Sequence, residues 1–133
     1  MALDPWPVFS FVVIDLNDLK GVNDEYGHQE GDRLLRTFAD AVKDNIRGTD
    51  YFARIGGDEF ALILNELNRI DSSKVFLRIM QDLESNHTSL PYKITFSYGI
   101  TLYPDEATNS DALYVSSDEK MYVMKRRYKE VMK

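Results

Sequence analysis

The chain has no cysteine, which excludes a disulfide framework and a thiolate metal site. Histidine is nearly as scarce. His28 and His87 are the only two, and they lie too far apart in sequence to suggest a His-based metal centre. No apolar run is long enough to span a bilayer and no signal peptide is visible, so no membrane contact is expected of this segment. Lysine and arginine number 16 against 22 aspartates and glutamates, and the net charge of −6 argues against a general binder of nucleic-acid polymers. A phosphate ligand held locally by a metal and a few lysines remains compatible with that balance. Internal repeats and low-complexity tracts are also absent. What remains is an ordinary globular composition in 133 residues, enough for one domain with a real core. A reducing, cytoplasmic location is the expectation.

Residues 1–7 hold two prolines and read as an irregular lead-in to a domain over 8–133. Residues 8–14 are β-branched and aromatic, the pattern of a strand buried on both faces and central in its sheet. Residues 20–31 are polar with three glycines and read as a loop holding at most one short helical turn. Leu34, Leu35, Phe38, Ala41, Val42 and Ile46 then follow helical spacing over 32–47, with Gly48 as the stop. Two strands, 51–55 and 60–64, flank Gly56-Gly57, a pair suited to the positive φ of a tight hairpin. A second helix opens at Asp71-Ser72-Ser73, with Val75, Phe76, Ile79, Met80 and Leu83 inward. A loop over 86–91 leads to a strand over 92–102, bent near Gly99 and broken at Tyr103-Pro104-Asp105. Asn109 or Ser110 caps a last helix. The order is strand, helix, two hairpin strands, helix, strand, helix: an α+β (α/β) split βαβ plan, its helices expected on one face of an open sheet.

Asp15 stands at the carboxyl end of the first strand, where ligands of open α/β sheets often bind. If that strand neighbours the hairpin, Asp15 and Asp58 approach each other. Two carboxylates and a backbone carbonyl are the hard oxygen ligands that Mg²⁺ prefers. Singly, Asp15 is equally explained as a strand end and Asp58 as a solvated turn. Lys20, beside the amides of Asp18 and Leu19, forms a phosphate cradle on one reading and is a solvated lysine on the other. Asn23 and Asp32 carry the amide and carboxylate that would read a guanine edge, although Asp32 is also suited to cap a helix. Arg47 and Asp50 have the spacing of a surface ion pair. Lys125, Arg126, Arg127 and Lys129 place charge where it complements a helix C-terminus.

Gly56-Gly57-Asp58-Glu59-Phe60 matches the signature of the GGDEF family, the diguanylate cyclases. Residues 15–32 resemble that family's long first motif, at matching spacing to the hairpin. Ser97-Tyr98-Gly99-Ile100 resembles its fourth-strand segment, and Ser117-Asp118-Glu119-Lys120-Met121-Tyr122 with Lys125 its last-helix motif. The resemblance runs from about residue 8 to residue 125. It implies a mostly antiparallel sheet of ferredoxin-like or palm type, surrounded by helices.

The resemblance further implies a nucleotidyltransferase that joins two GTP molecules into cyclic di-GMP with release of pyrophosphate. Asp15, Asp58 and the Leu16 carbonyl would bind Mg²⁺ or Mn²⁺, two ions per site with GTP bound. Glu59 would share that acidic cluster, with Asp58, Glu59 and Lys20 as the catalytic set. Asn23 and Asp32 would hold guanine. Lys20, Lys125, Lys129 and the amides of Asp18 and Leu19 would hold the triphosphate. Gly56 and Gly57 would let the backbone approach the nucleotide. Arg47 and Asp50 match an Arg-x-x-Asp site at which product binds and inhibits. One domain holds one GTP, so activity implies a homodimer. A sensor domain ahead of this segment, in a parent protein anchored in a membrane or free of it, is also implied.

Three departures stand out. The family's opening helix, with its Asp-x-Leu-Thr-x-Leu-x-Asn-Arg motif, has no counterpart in residues 1–7. Tyr128-Lys129-Glu130 replaces Gly-Arg-Asn, so a lysine stands where the family has a forked arginine. Asn17 and Leu19 replace the commoner Asp and Phe. Beside the cyclase stand two other readings: a catalytically inactive module that binds GTP or cyclic di-GMP and regulates a partner, and an inert fragment.

Overall fold

A computed structural model describes residues 8–87 and 89–132; the lead-in over 1–7 lies outside them. The elements are β1 (Phe9–Leu16), α1 (Leu19–Tyr26), α2 (His28–Asp44), β2 (Tyr51–Arg54), β3 (Glu59–Asn65), α3 (Arg69–Asn86), β4 (Phe96–Tyr103) and α4 (Ser110–Val131). The sheet order is β2-β3-β1-β4, and every pairing is antiparallel. β1 is bonded on both edges, as its continuous apolar run predicts. Val12, Val13 and Ile14 are fully buried.

The pleat divides β1 between two layers. Val12, Ile14 and Leu16 face the main core with Phe60, Leu62 and Leu64 from β3 and Phe96 and Ile100 from β4. From α2 and α3, Phe38, Val42, Phe76 and Ile79 close over them. Phe38 packs against Phe60 and Phe96 with ring centroids 5.2 and 5.3 Å apart, and Phe76 stacks on Tyr98 at 4.2 Å. Each such side chain contributes roughly 1.5–3 kcal/mol on burial.

The opposite face is covered by α4, so the helices do not all lie on one face. A strand apolar on both sides needs a cover on both. This second layer is polar and close. The Ser117 hydroxyl donates to the Phe11 carbonyl at 3.0 Å and shares a 2.7 Å hydrogen bond with the Thr101 hydroxyl. Lys120 Nζ donates to the Ile100 carbonyl at 2.8 Å. Gly99 makes the approach possible: a Cβ there would run into the Ser117 carbonyl and lie 2.6 Å from the Met121 amide. Gly99 pairs regularly with Val13, so the expected bend is absent.

Other boundaries also differ from expectation. Residues 19–26 form a helix, and α2 begins at His28, joined to α1 through Gly27 at φ 92°. α2 ends at Asp44, where the Asn45 side chain donates to the Ala41 carbonyl, rather than at Gly48. α3 begins at Arg69 because Asn68 caps it, accepting from the Asp71 amide at 2.8 Å. Met80 points outward and is 39% exposed. Residues 92–95 are not strand. Asn109, not Ser110, caps α4. Gly56 and Gly57 do not adopt positive φ. The turn is longer, with Ile55 and Gly56 donating to the Glu59 carbonyl, and the Arg54 guanidinium ties down the Gly56 and Gly57 carbonyls at 3.0 and 2.7 Å. No helix among the described residues is long and apolar enough to cross a membrane.

Gly99→Ala is expected to lower the unfolding free energy by about 1–3 kcal/mol, the usual cost of overpacking. Gly48→Ala, with no atom within 4 Å of the new methyl, serves as control in the same denaturant titration. Equal stability of the two variants would refute the close α4–β4 contact.

Candidate functional site

The carboxyl end of β1 and the β2–β3 turn meet. Asp15 lies opposite Glu59 in the antiparallel register, and the Leu16 amide donates to the Asp58 carbonyl at 2.9 Å. That bond holds the turn against the strand end and brings the Asp58 carboxyl beside that of Asp15. Asp15 is largely buried. Its Oδ2 pairs with Lys125 Nζ at 3.0 Å, while its Oδ1 is buried without a hydrogen-bond partner. Lys125 also donates to the Leu16 carbonyl at 3.2 Å. Burial pushes the Asp15 carboxyl up to about 6, Lys125 opposes the shift, and the Asp58 carboxylate adds to it.

These donors suit a divalent cation. A buried carboxylate oxygen with no partner, a second carboxyl beside it and a backbone carbonyl make a hard oxygen set. Glu59 lies on the same face, directly opposite Asp15. Its carboxylate accepts a 2.6 Å hydrogen bond from the Tyr114 hydroxyl on α4. Among the described residues, no three of His, Cys, Asp and Glu converge as a metal cluster. The bond to Glu59 is the main cause that pushes the Tyr114 phenol up to about 12, with burial second.

The expected phosphate loop is the N-terminus of α1. Asp18 stands at its cap, and the first amides of the helix, beginning at Leu19, have no intrahelical acceptors. Lys20 is 93% exposed on that turn, loosely paired with Asp24 at 3.7 Å. Lys125 is not free in the same way, being engaged by Asp15 and Leu16. Lys129, one turn on, is exposed on an unbroken helix, with Tyr128 half-buried beside it. Asn17 lies to the side, donating to the Thr95 hydroxyl and accepting from Ser97, so it staples β1 to β4.

Asn23 and Asp32 sit on the facing helices α1 and α2. The Asn23 carboxamide occupies the space over Gly31 that any larger residue would fill. Asp32 is exposed and lies inside α2, so it does not cap that helix.

Arg47 and Asp50 lie elsewhere, at the far end of β3, about 20 Å along the strand from Glu59. Asp50 is more than a surface ion. Its side chain is 1% exposed and accepts from the Arg47 and Asn65 amides at 2.9 and 3.0 Å. The Arg47 guanidinium pairs with Asp50 at 3.2 Å and donates to the Asn65 carbonyl. Lys74 and Arg78 line the same cavity of about 180 Å³. Sequence reading missed Arg54, Tyr114, Lys74 and Arg78. Each acts through a tertiary neighbour that local spacing does not display.

Because the fold favours the protonated Asp15, its stabilising contribution is full below pH 4 and disappears as pH rises through about 6, against an ordinary value of 3.8. Unfolding measured from pH 4 to 7 should lose roughly 2–3 kcal/mol more in the wild type than in Asp15→Asn. Parallel pH profiles would contradict this assignment.

The model of the family described as "Diguanylate cyclase, GGDEF domain" matches residues 7–130. The probable diguanylate cyclase DgcJ of Escherichia coli (strain K12) is 40% identical over 116 residues, covering 87% of this chain and 23% of that protein. The bifunctional diguanylate cyclase/cyclic di-GMP phosphodiesterase MucR of Pseudomonas aeruginosa is 36% identical over 118 residues, covering 86% and 17%. The chain thus spans about a quarter or less of these two relatives. Among solved structures, the GGDEF domain of YfiN (TpbB) from Pseudomonas aeruginosa superposes with a TM-score of 0.82 at 30% identity, over 91% of this chain and 73% of that one. The GGDEF domain of DgcB from Caulobacter crescentus, in complex with c-di-GMP, gives 0.80 at 25%, over 90% and 73%. With its hairpin signature on the same antiparallel sheet, this chain belongs to the GGDEF domain family of diguanylate cyclases.

Proposed function

We propose that this chain is the catalytic domain of a diguanylate cyclase, condensing two GTP into cyclic di-GMP and two pyrophosphates. The observation that carries the reading is the meeting of Asp15, Asp58 and the Leu16 carbonyl next to the start of α1. In the reaction a ribose 3′-hydroxyl attacks the α-phosphorus of the other GTP. A bound Mg²⁺ or Mn²⁺ would supply charge neutralisation and a lower hydroxyl pKa. Asp15, Asp58 and the Leu16 carbonyl would hold that cation. The first amides of α1 and Lys20 grip the triphosphate, with Lys129 as a further point charge. Asn23 and Asp32 orient the guanine between α1 and α2. Positioning and electrostatics do nearly all the work in such a transfer.

Each domain brings one GTP, so two copies face each other across a two-fold axis and neither reacts alone. The greater length of the relatives supports a regulatory segment outside this one, such as a sensor, and dependence on GTP supports a cytoplasmic location. Arg47 and Asp50, with Lys74 and Arg78 around the same cavity, form the product-binding inhibitory site. One contact favours a second reading, a non-catalytic nucleotide-binding module. Lys125 already occupies the carboxylate and carbonyl that the cation needs.

Incubation with GTP and Mg²⁺ over a wide range of protein concentration separates the two, with Asp58→Ala as blank. A rate of cyclic di-GMP formation that climbs faster than linearly with protein is the expected outcome. Absence of product, with GTP still raising the melting temperature, would leave the binding module. Arg47→Ala is expected to weaken cyclic di-GMP binding at least about tenfold, on the scale of a lost charge-assisted pair. Its turnover at low product should stay near that of the wild type. Equal product inhibition in the two proteins rules the site out.

A further inference from the structure

Gly27, at φ 92°, makes an elbow between α1 and α2, and the proposed guanine residues flank it. Asn23 lies one turn before the elbow and Asp32 five residues after it. Two residues of the loop between α3 and β4 tie down both arms. Tyr26, the last residue of α1, donates from its hydroxyl to the Pro91 carbonyl at 3.1 Å. On the other arm, in the first turn of α2, Glu30 Oε2 accepts from the Tyr92 hydroxyl at 3.0 Å, with the Glu30 carbonyl 3.2 Å from the same hydroxyl. The two tyrosine rings meet beside the elbow with centroids 5.6 Å apart. Burial, then the Glu30 carboxylate, pushes the Tyr92 phenol up to about 12, so it remains a donor through the neutral range. Packing of Val22 and Leu34 seats the two helices on the core. Asp32 is exposed, so no packing fixes its distance from Asn23.

We infer that Tyr92 and Glu30 are positioning residues for base recognition: their hydrogen bond sets the elbow and with it the span between Asn23 and Asp32. The inference rests on the proposal that those two residues hold guanine. A carboxylate that accepts from the N1–H and 2-amino groups of guanine, and an amide that faces its acceptor edge, must stand at one fixed span. Hydrogen bonds weaken steeply away from their proper distance and angle. On the same reading the triphosphate is gripped at the other end of α1, by the amides that begin at Leu19. The Tyr92–Glu30 contact therefore bears on the base and not on the phosphates. With that contact gone, the elbow would still take a nucleoside triphosphate but would read its base less well. Inosine triphosphate reports this, because it lacks the 2-amino group. A site held at the correct span rejects it, since Asp32 loses a donor that the span was set to meet.

The test is calorimetric binding of 3′-deoxy-GTP and 3′-deoxyinosine triphosphate, each with Mg²⁺. Both lack the attacking hydroxyl and so are not consumed. Tyr92→Phe keeps the ring and removes the donor, and Glu30→Ala removes the acceptor from the other side. Each should cut the preference for the guanine nucleotide about five- to tenfold, the scale of one hydrogen bond to a charged group. Binding of the inosine nucleotide should stay near the wild-type level. The two changes together should cost no more than either alone, because they remove one shared contact. A pair that only stabilises the fold would weaken both nucleotides alike. An equal loss for the two nucleotides, or no change, in either single variant therefore overturns the inference, and so do additive losses in the double variant. If Asp32→Ala leaves the wild-type preference intact, the guanine reading itself fails, an outcome separate from the behaviour of Tyr92.

Discussion

Hydrogen bonding of β1 on both edges is the constraint on which the rest depends. It fixes Asp15 opposite Glu59 on one side and Ser97 on the other. A slip of one residue would turn Val12, Ile14 and Leu16 out of the core and Asp15 into it. The apolar residues of β1, β3 and β4 therefore enforce a register that crowds acids at one end of the sheet. Hydrophobic burial of roughly 1.5–3 kcal/mol per side chain offsets that electrostatic cost, and a bound cation would remove part of it.

α4 answers the same charge from the other layer. Tyr114 and Lys125 are three turns apart, about 16 Å along the axis, yet they engage the paired positions Glu59 and Asp15. The helix reaches the sheet closely only because Gly99 lacks a side chain and Thr101 and Ser117 bond to each other beneath it. An ordinary apolar seam would have needed bulk at those positions. The polar seam places the phenol and the ammonium within reach of the acids.

Much of this plan was legible in the sequence because hydrophobic periodicity is local. β1, the apolar face of α2, the hairpin and the order of elements could all be read from it. Residues 19–31 could not. Their glycines look like loop punctuation, but Gly21 and Gly31 clear space for the Asp18 and Asn23 side chains against helices. The hairpin glycines suggested positive φ, whereas Arg54 closes a wider turn through its guanidinium. The residues of the site motifs could be named from their pattern. What each touches could not, because Tyr114 and Lys125 find their partners 55 and 109 residues away.

β3 joins the acidic cluster to the separate Arg47–Asp50 cluster. At its start Glu59 is held by Tyr114, and at its end Asn65 is held by Asp50 and Arg47. Between them Phe60, Leu62 and Leu64 are buried in the core. The strand cannot slide to carry a signal without exposing all three. A ligand that pulled Arg47 from Asn65 would act first on the segment between α2 and β2. It would reach the acids through that segment and through the turn that Arg54 holds. The core strand is the fixed reference, and the polar contacts at its two ends are the parts free to exchange partners.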